Sequence, residues 1–184
     1  MGRPRLEIDI EDDLTLLFRQ RGFDGASLSA IEKVSGMGKA SLFHRFPGGK
    51  DDMARASISA VTTQFEVTLS RIFENSAPKL CAHELQNFFS DYYLQGDLGC
   101  IFGAFSVPET AARFRPELQT MLKRITQSIC QSSALAGVSR SQAKQNAEDF
   151  LADLQGTLIL SSISPGKRRF NMRIQSAVAR LLKK

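Results

Sequence analysis

Residues 39–45 carry the side chains best suited to bind another molecule. The run reads Lys-Ala-Ser-Leu-Phe-His-Arg and contains no acid. Its ammonium, hydroxyl, imidazole and guanidinium groups donate hydrogen bonds of the kind that nucleic acids accept on phosphate oxygens and base edges. The run follows Gly36 and Gly38 closely and precedes Pro47. These breaks predict a short helix that presents its polar side chains to a partner.

Residues typical of catalysis or metal binding are scarce. His44 and His83 are the only histidines, and the cysteines Cys81, Cys100 and Cys130 are odd in number and widely separated. This spacing argues against a zinc site and against a disulfide framework. The sequence also has no nucleophile elbow and no phosphate-binding glycine loop. We therefore predict no catalytic residue, no metal ligand, no cofactor and no enzymatic activity.

Cys100 admits two interpretations. A predicted helix start nearby would favour a reactive thiolate and hence a thiol-based redox sensor. The following residues, Ile101 and Phe102, instead indicate burial, which makes a thiol inert. We favour the buried thiol and keep the redox sensor as an alternative.

The formal net charge of +5 is concentrated near the C-terminus. Residues 1–50 hold eight basic and seven acidic side chains, whereas the last 21 residues hold seven basic side chains and no acid. Net charge alone therefore says little about DNA binding. No signal peptide and no apolar run of the roughly 20 residues that span a bilayer is present. We expect a cytoplasmic protein with no membrane partner.

Apolar residues recur at spacings of three and four along most of the chain, which predicts an all-α protein. Gly22 is expected to end the first helix, and Ser27 to cap the second. We expect about nine helices, near residues 7–21, 28–34, 39–45, 50–74, 78–94, 99–107, 114–136, 139–161 and 166–183.

Residues 28–46 predict a helix-turn-helix, that is, two short helices around a glycine turn. Gly36 can adopt the positive φ that such a turn requires. A small core is expected from Ile31, Met37, Leu42 and Phe46. The predicted organisation is a three-helix unit in residues 1–50, joined through the long fourth helix to a helical domain in residues 51–184.

Three parts of the sequence together resemble the DNA-binding end of the tetracycline-repressor (TetR/AcrR) family of transcriptional regulators. They are residues 17–24 (Leu-Phe-Arg-Gln-Arg-Gly-Phe-Asp), the run 28–46 and Gly49-Lys50-Asp51. The resemblance implies a homodimer that binds a palindromic operator in double-stranded DNA, most often as a repressor that a small-molecule effector releases. It implies the DNA-binding residues Arg3, Arg5, Ser27, Lys39, Ala40, Ser41, Phe43, His44, Arg45 and Lys50.

Four positions depart from the pattern of the family that the chain resembles. The family usually has alanines where Glu32 and Ser35 stand. The family usually has a tyrosine where Phe43 stands, and the hydroxyl of that tyrosine commonly touches a phosphate. A serine or threonine is frequent where Gly38 stands, so the third helix is expected to lack a side-chain cap. These departures leave open an alternative, a helical interaction module of the same fold that lacks sequence-specific DNA binding.

The resemblance also implies an effector cavity within the central helices and a dimer formed by the last two. A small apolar or aromatic effector would suit the aromatic side chains there. The candidate ligand-binding residues are Phe65, Phe89, Tyr92, Tyr93, Phe102, Phe105 and Met121. The candidate dimerisation residues, on stripes that one chain is not expected to cover alone, are Phe150, Leu151, Leu154, Leu158, Ile174, Val178 and Leu181.

Overall fold

The computed structural model describes residues 8–75, 78–135 and 137–183, which form ten α-helices and no strand. Arg3 and Arg5 lie outside the described residues. The helices are α1 (Ile8–Gly25), α2 (Leu28–Ser35), α3 (Lys39–Arg45), α4 (Lys50–Asn75), α5 (Pro78–Tyr92), α6 (Ile101–Ala104), α7 (Pro108–Arg113), α8 (Arg115–Leu135), α9 (Arg140–Ile163) and α10 (Lys167–Leu181). The all-α prediction is confirmed.

The helices near Gly22 and Pro108 differ most from the expectation. Gly22 does not end α1 but interrupts it, with φ 71° and ψ 171°, and the helix continues to Gly25. Glycine can take this left-handed backbone conformation without the steric cost that a Cβ brings. Pro108 lies between the expected helices 99–107 and 114–136, and it is the first residue of an additional short helix, α7. Proline suits this position because the first amide of a helix has no intrahelical acceptor.

The chain divides into two compact units. Unit 1 comprises the described residues up to Thr63 together with Ile101–Met121, and unit 2 comprises Gln64–Cys100 and the described residues from Leu122 onward. This division differs from the predicted boundary after residue 50, because residues 51–63 and 101–121 group with the N-terminal helices. Helices α4 and α8 each supply residues to both units.

A cluster of four phenylalanines forms much of the core of unit 1. The Phe23 and Phe114 ring centroids lie 4.9 Å apart, and the Phe105 centroid lies 5.3 Å from that of Phe114 and 5.6 Å from that of Phe18. All four side chains are buried. The cluster joins α1 to the segment 105–114, which explains why residues distant in sequence belong to the unit that holds the N-terminal helices.

The core of unit 2 contains the apolar residues of α9 and α10. The seven predicted dimerisation residues are buried within the single chain, each at most 8% exposed: Phe150, Leu151, Leu154, Leu158, Ile174, Val178 and Leu181. The expectation that one chain cannot cover these stripes is therefore wrong, because the two helices cover them by packing against each other and against α5.

Candidate nucleic-acid interface

Local interactions set the geometry of the helix-turn-helix. The Ser27 Oγ accepts a hydrogen bond from the Ala30 amide at 3.2 Å and so caps α2. Gly36 has φ 66°, the left-handed conformation expected at the turn. The buried Ser35 hydroxyl accepts a hydrogen bond from the Met37 amide at 3.2 Å. These contacts satisfy backbone groups at the start of α2 and just beyond its end, and thereby hold the turn between the helices.

The buried side of this motif is the small core predicted from the sequence. Ile31, Leu42 and Phe46 are buried, and Met37 is half-buried. The Gly38 cap of α3 makes no side-chain hydrogen bond, as expected for a residue without a side chain. Helix α3 therefore depends on its apolar contacts through Leu42 rather than on a capping side chain.

Helix α3 turns most of its predicted DNA-binding residues to solvent. Lys39, Ala40, Ser41, Phe43 and His44 are all exposed, whereas Leu42 is fully buried. The helix contains no acid. Its exposed surface thus combines hydrogen-bond donors with two apolar side chains, which is the mixture that reads base edges in a major groove.

Arg45 and Lys50, two further predicted DNA-binding residues, are engaged within unit 1. The Arg45 Nη2 donates to the Glu11 Oε1 at 2.9 Å. The Lys50 Nζ lies 4.3 Å from the ring centroid of Phe23, a cation–π distance. Burial lowers the pKa of Lys50, with Asp24 opposing and Arg113 adding to this effect. Both cations are thus less available to phosphates than the exposed Lys39.

The predicted ligand-binding residues are divided between the two units. Phe65, Phe89, Tyr92 and Tyr93 belong to unit 2, whereas Phe102, Phe105 and Met121 belong to unit 1. Phe105 is fully buried in the phenylalanine cluster, which assigns it to the core of unit 1 rather than to a cavity wall. Met121 is buried as well, and Phe102 is half-buried.

In unit 2 an open groove of about 800 Å³ lies beside part of the predicted set. The rings of Phe65, Phe88 and Tyr92 pack together there, with centroids 4.9 Å apart for Phe65 and Tyr92 and 5.3 Å apart for Phe65 and Phe88. Phe88 and Tyr92 are half-buried and line the groove. The complete lining, all from α4 and α5, is Gln64, Arg71, Ile72, Glu84, Asn87, Phe88, Asp91 and Tyr92.

Helix α9 also has an exposed apolar face that was not predicted from the sequence. Ile159, Leu160 and Ile163 are 58%, 61% and 76% exposed. Ala152 and Gly156 share this side of the helix and are also exposed. The spacing of three and four residues from position 152 to position 163 could have indicated the face, but it was obscured by the equally regular stripe of buried residues on the same helix.

Two of the cysteines are buried thiols. Cys100 is buried, and its Sγ donates to the Gln155 Oε1 at 2.9 Å. Burial raises the pKa of the Cys81 thiol.

Within the described residues, no group of His, Cys, Asp and Glu side chains has an arrangement that could hold a metal ion. Over the same residues, no helix combines the length and the apolar character needed to cross a membrane.

Comparison with known sequences gives one family match and a full-length relative. Residues 15–57 match the model of the bacterial regulatory proteins of the tetR family. Over 179 residues the chain is 25% identical to the HTH-type transcriptional regulator LmrA of Bacillus subtilis, covering 92% of this chain and 93% of LmrA. The match at residues 15–57 includes the helix-turn-helix and the start of α4.

Solved structures share the fold. A TetR transcriptional regulator from Legionella pneumophila superposes with a TM-score of 0.79 over 100% of both chains at 20% identity. The TetR family regulator CifR, as a cysteine mutant complexed with a 26 bp double-strand operator DNA, gives a TM-score of 0.70 at 16% identity, covering 97% of this chain and 98% of CifR. The reduced form of Escherichia coli NemR gives 0.68 at 17% identity, covering 94% and 95%.

Proposed function

We propose that the chain is a homodimeric repressor of the tetR family that binds a palindromic operator and is released by a small-molecule effector. The match of residues 15–57 to the tetR family model and the similarity to LmrA along most of the chain support this proposal. The observation that carries the proposal is the surface of α3, where five exposed residues without an acid stand on a helix-turn-helix. In this motif the second helix enters the major groove.

Operator binding is tested by selecting bound sequences from random double-stranded DNA and then titrating the selected site at several salt concentrations. We expect a two-fold symmetric consensus with half-sites about 34–36 Å apart, or a multiple of that distance. Affinity should fall steeply with salt, because each phosphate contact contributes about 0.9 to the logarithmic slope. Salt-sensitive binding without any selected consensus would instead support the interaction module that lacks sequence-specific recognition.

The proposed dimer forms through the exposed face of α9 rather than through the buried stripes. The face from Ala152 to Ile163 is apolar and has small residues, Ala152 and Gly156, in its N-terminal half, so another helix can approach it closely. Met172 of α10 adds a 58% exposed apolar side chain. Two copies related by a two-fold axis would each present this face to the other, which gives the operator its palindromic symmetry.

Sedimentation of paired variants tests this surface. Ile159→Glu with Ile163→Glu should give monomers near the 20.3 kDa chain mass, because charges replace apolar contacts at the interface. Glu substitutions at the exposed Val67 and Leu80 are a matched control and should leave a dimer. A wild-type chain that is monomeric at micromolar concentration, or a doubly charged α9 that still dimerises, would contradict the proposal.

The groove between α4 and α5 is the proposed effector site. Its two half-buried aromatic rings suit a small apolar or aromatic molecule, and its charged rim offers groups that orient a polar substituent. Helix α4 begins at Lys50, directly after the helix-turn-helix, and its later residues line the groove. An effector that binds the DNA-incompetent state about 100-fold better would supply roughly 2.7 kcal/mol of coupling.

Effector release is measured by fluorescence polarisation of labelled operator against a panel of small aromatic compounds. Tyr92→Phe should bind operator normally and respond less to an active compound, because it removes a phenolic hydroxyl from the groove. Cys100→Ser is the control, and it should respond as the wild type does. A normal response of the Tyr92 variant together with a lost response of the Cys100 variant would favour the thiol sensor.

A further inference from the structure

Phe43 stands out on the surface of α3 because it is a large apolar side chain among polar ones. It is 41% exposed, although the neighbouring Leu42 is fully buried. A Cβ built on Gly49 would lie 3.2 Å from the Phe43 Cε1, so one edge of the ring rests on the Gly49 backbone. Gly49 has φ 66°, which favours glycine at this point. The turn after α3 therefore holds the ring in place and leaves its remaining surface exposed.

Ala40 extends this apolar surface. It precedes Phe43 by three residues, so the two side chains lie on the same side of the helix. Ala40 is exposed as well. Lys39, Ser41 and His44 surround the pair with hydrogen-bonding groups. The result is a small apolar patch, formed by Ala40 and Phe43, within the surface that faces DNA in the proposed function.

The patch of Ala40 and Phe43 can contact one kind of apolar group in the major groove. Neither side chain can donate or accept a hydrogen bond, so neither can recognise a phosphate oxygen or a polar base edge. The C5-methyl of thymine is the apolar group that base pairs present in that groove, and alanine and phenylalanine are among the side chains that contact it. Contact with a methyl group would remove apolar surface from water on both partners.

We propose that Phe43, supported by Ala40, is a specificity-determining residue that recognises the methyl group of a thymine in each operator half-site. The inference rests on the proposed operator binding and adds the base that this part of α3 selects. Ser41 and His44 then read the polar edges of neighbouring base pairs, and Lys39 contacts a phosphate. The family tyrosine hydroxyl is absent at position 43, and the ring itself provides the contact.

The test replaces thymines of the selected operator, one at a time in both half-sites, by deoxyuridine, which differs from thymidine only by the missing methyl. We expect the wild type to lose affinity about fourfold per half-site methyl at one position, as follows from roughly 0.8 kcal/mol per buried carbon group. Phe43→Ala should bind the thymine and uracil operators equally at that position. Phe43→Tyr keeps the ring and should keep the preference for thymine.

Val67→Ala is the matched control, because Val67 is an exposed apolar residue of unit 2 at 63% exposure. It should show the wild-type ratio of thymine to uracil affinity. Circular dichroism and thermal unfolding verify that each variant is folded. The proposal is overturned if uracil leaves wild-type affinity unchanged at every position, or if Phe43→Ala retains the full ratio. Loss of the proposed function has a different signature, since the wild type would then select no DNA sequence at all.

Discussion

The aromatic side chains of units 1 and 2 form two clusters that differ in how they are closed. In unit 1 the rings of Phe18, Phe23, Phe105 and Phe114 are at most 5% exposed. In unit 2 Phe65 and Phe89 are similarly buried, but Phe88 and Tyr92 are half-buried beside the groove. Phe105 of the first cluster and Phe65, Phe89 and Tyr92 of the second were predicted to line an effector cavity. Of these two clusters, the second alone has partly exposed rings.

Cations cover the cluster of unit 1. The Arg113 Cζ lies 5.4 Å from the Phe23 centroid, and the Arg55 Cζ lies 5.7 Å from the Phe114 centroid. Carboxylates hold both guanidinium groups, since the Arg113 Nε donates to Asp51 at 2.7 Å and the Arg55 Nε donates to Glu117 at 2.8 Å. The closed cluster is therefore a structural core that ties α1 to α4 and α7, and the open cluster is the candidate binding surface.

The largest difference between the clusters should appear in stability. Phe105→Ala should lower the free energy of unfolding by about 3–5 kcal/mol, because it leaves a cavity in a closed core. Phe88→Ala should lower the free energy of unfolding clearly less, since the Phe88 ring is already partly in contact with water. Urea unfolding followed by circular dichroism measures both. An equal loss for the two variants would remove the distinction between a closed and an open cluster.

Ligand binding should show the reverse order. The dye 1-anilinonaphthalene-8-sulfonate should bind the folded protein at the groove, and Phe88→Ala should weaken this binding roughly two- to tenfold through the loss of an aromatic contact. Fluorescence titration gives the dissociation constant. Phe43→Ala, which changes an exposed ring outside the groove, is the control and should bind the dye unchanged. Unaltered binding by the Phe88 variant would place the dye elsewhere.

Lys50 tests whether a cation that packs against the closed cluster of unit 1 can still bind a DNA phosphate. Lys39→Met should reduce the logarithmic salt slope of operator binding by about 0.9, as expected for one lost phosphate contact. Lys50→Met should reduce it less, because the Lys50 ammonium lies against the Phe23 ring. The two lysines share the same substitution and are compared over the same salt range. A larger decrease for Lys50 would show that its side chain leaves the ring to contact a phosphate.

The smallest expected effect concerns the cations that cover the closed cluster. Arg113→Ala should lower the free energy of unfolding by about 0.5–1 kcal/mol, the range for an exposed cation–π contact and a surface ion pair. Arg124→Ala is the comparison in unit 2, where the structure shows an ion pair with Glu66. Arg124→Ala should lower the free energy of unfolding less than Arg113→Ala does. Urea unfolding of both variants measures the difference. A larger loss for Arg124 would mean that the rings contribute nothing to the role of Arg113.

Much of the helix-turn-helix could be predicted because it depends on residues that are close in sequence. Ser27 caps the helix that begins at the next residue, and Gly36 takes the left-handed conformation that ends the same helix. The absence of a side-chain cap on α3 also follows from Gly38 alone. Such features arise from steric limits and hydrogen bonds within a few residues, so the sequence determined them without knowledge of the tertiary structure.

The tertiary structure decided which residues of a given type are available to a partner. Arg45 pairs with Glu11, which lies 34 positions earlier in the chain. Phe105 meets Phe18 and Phe23 across more than 80 positions, and α10 covers a stripe of α9 that was expected to face a second subunit. A helical period identifies which side chains share a face, but several apolar faces can have the same period. Long-range packing then selects the face that is buried and leaves another, such as that of Ile159 and Ile163, exposed.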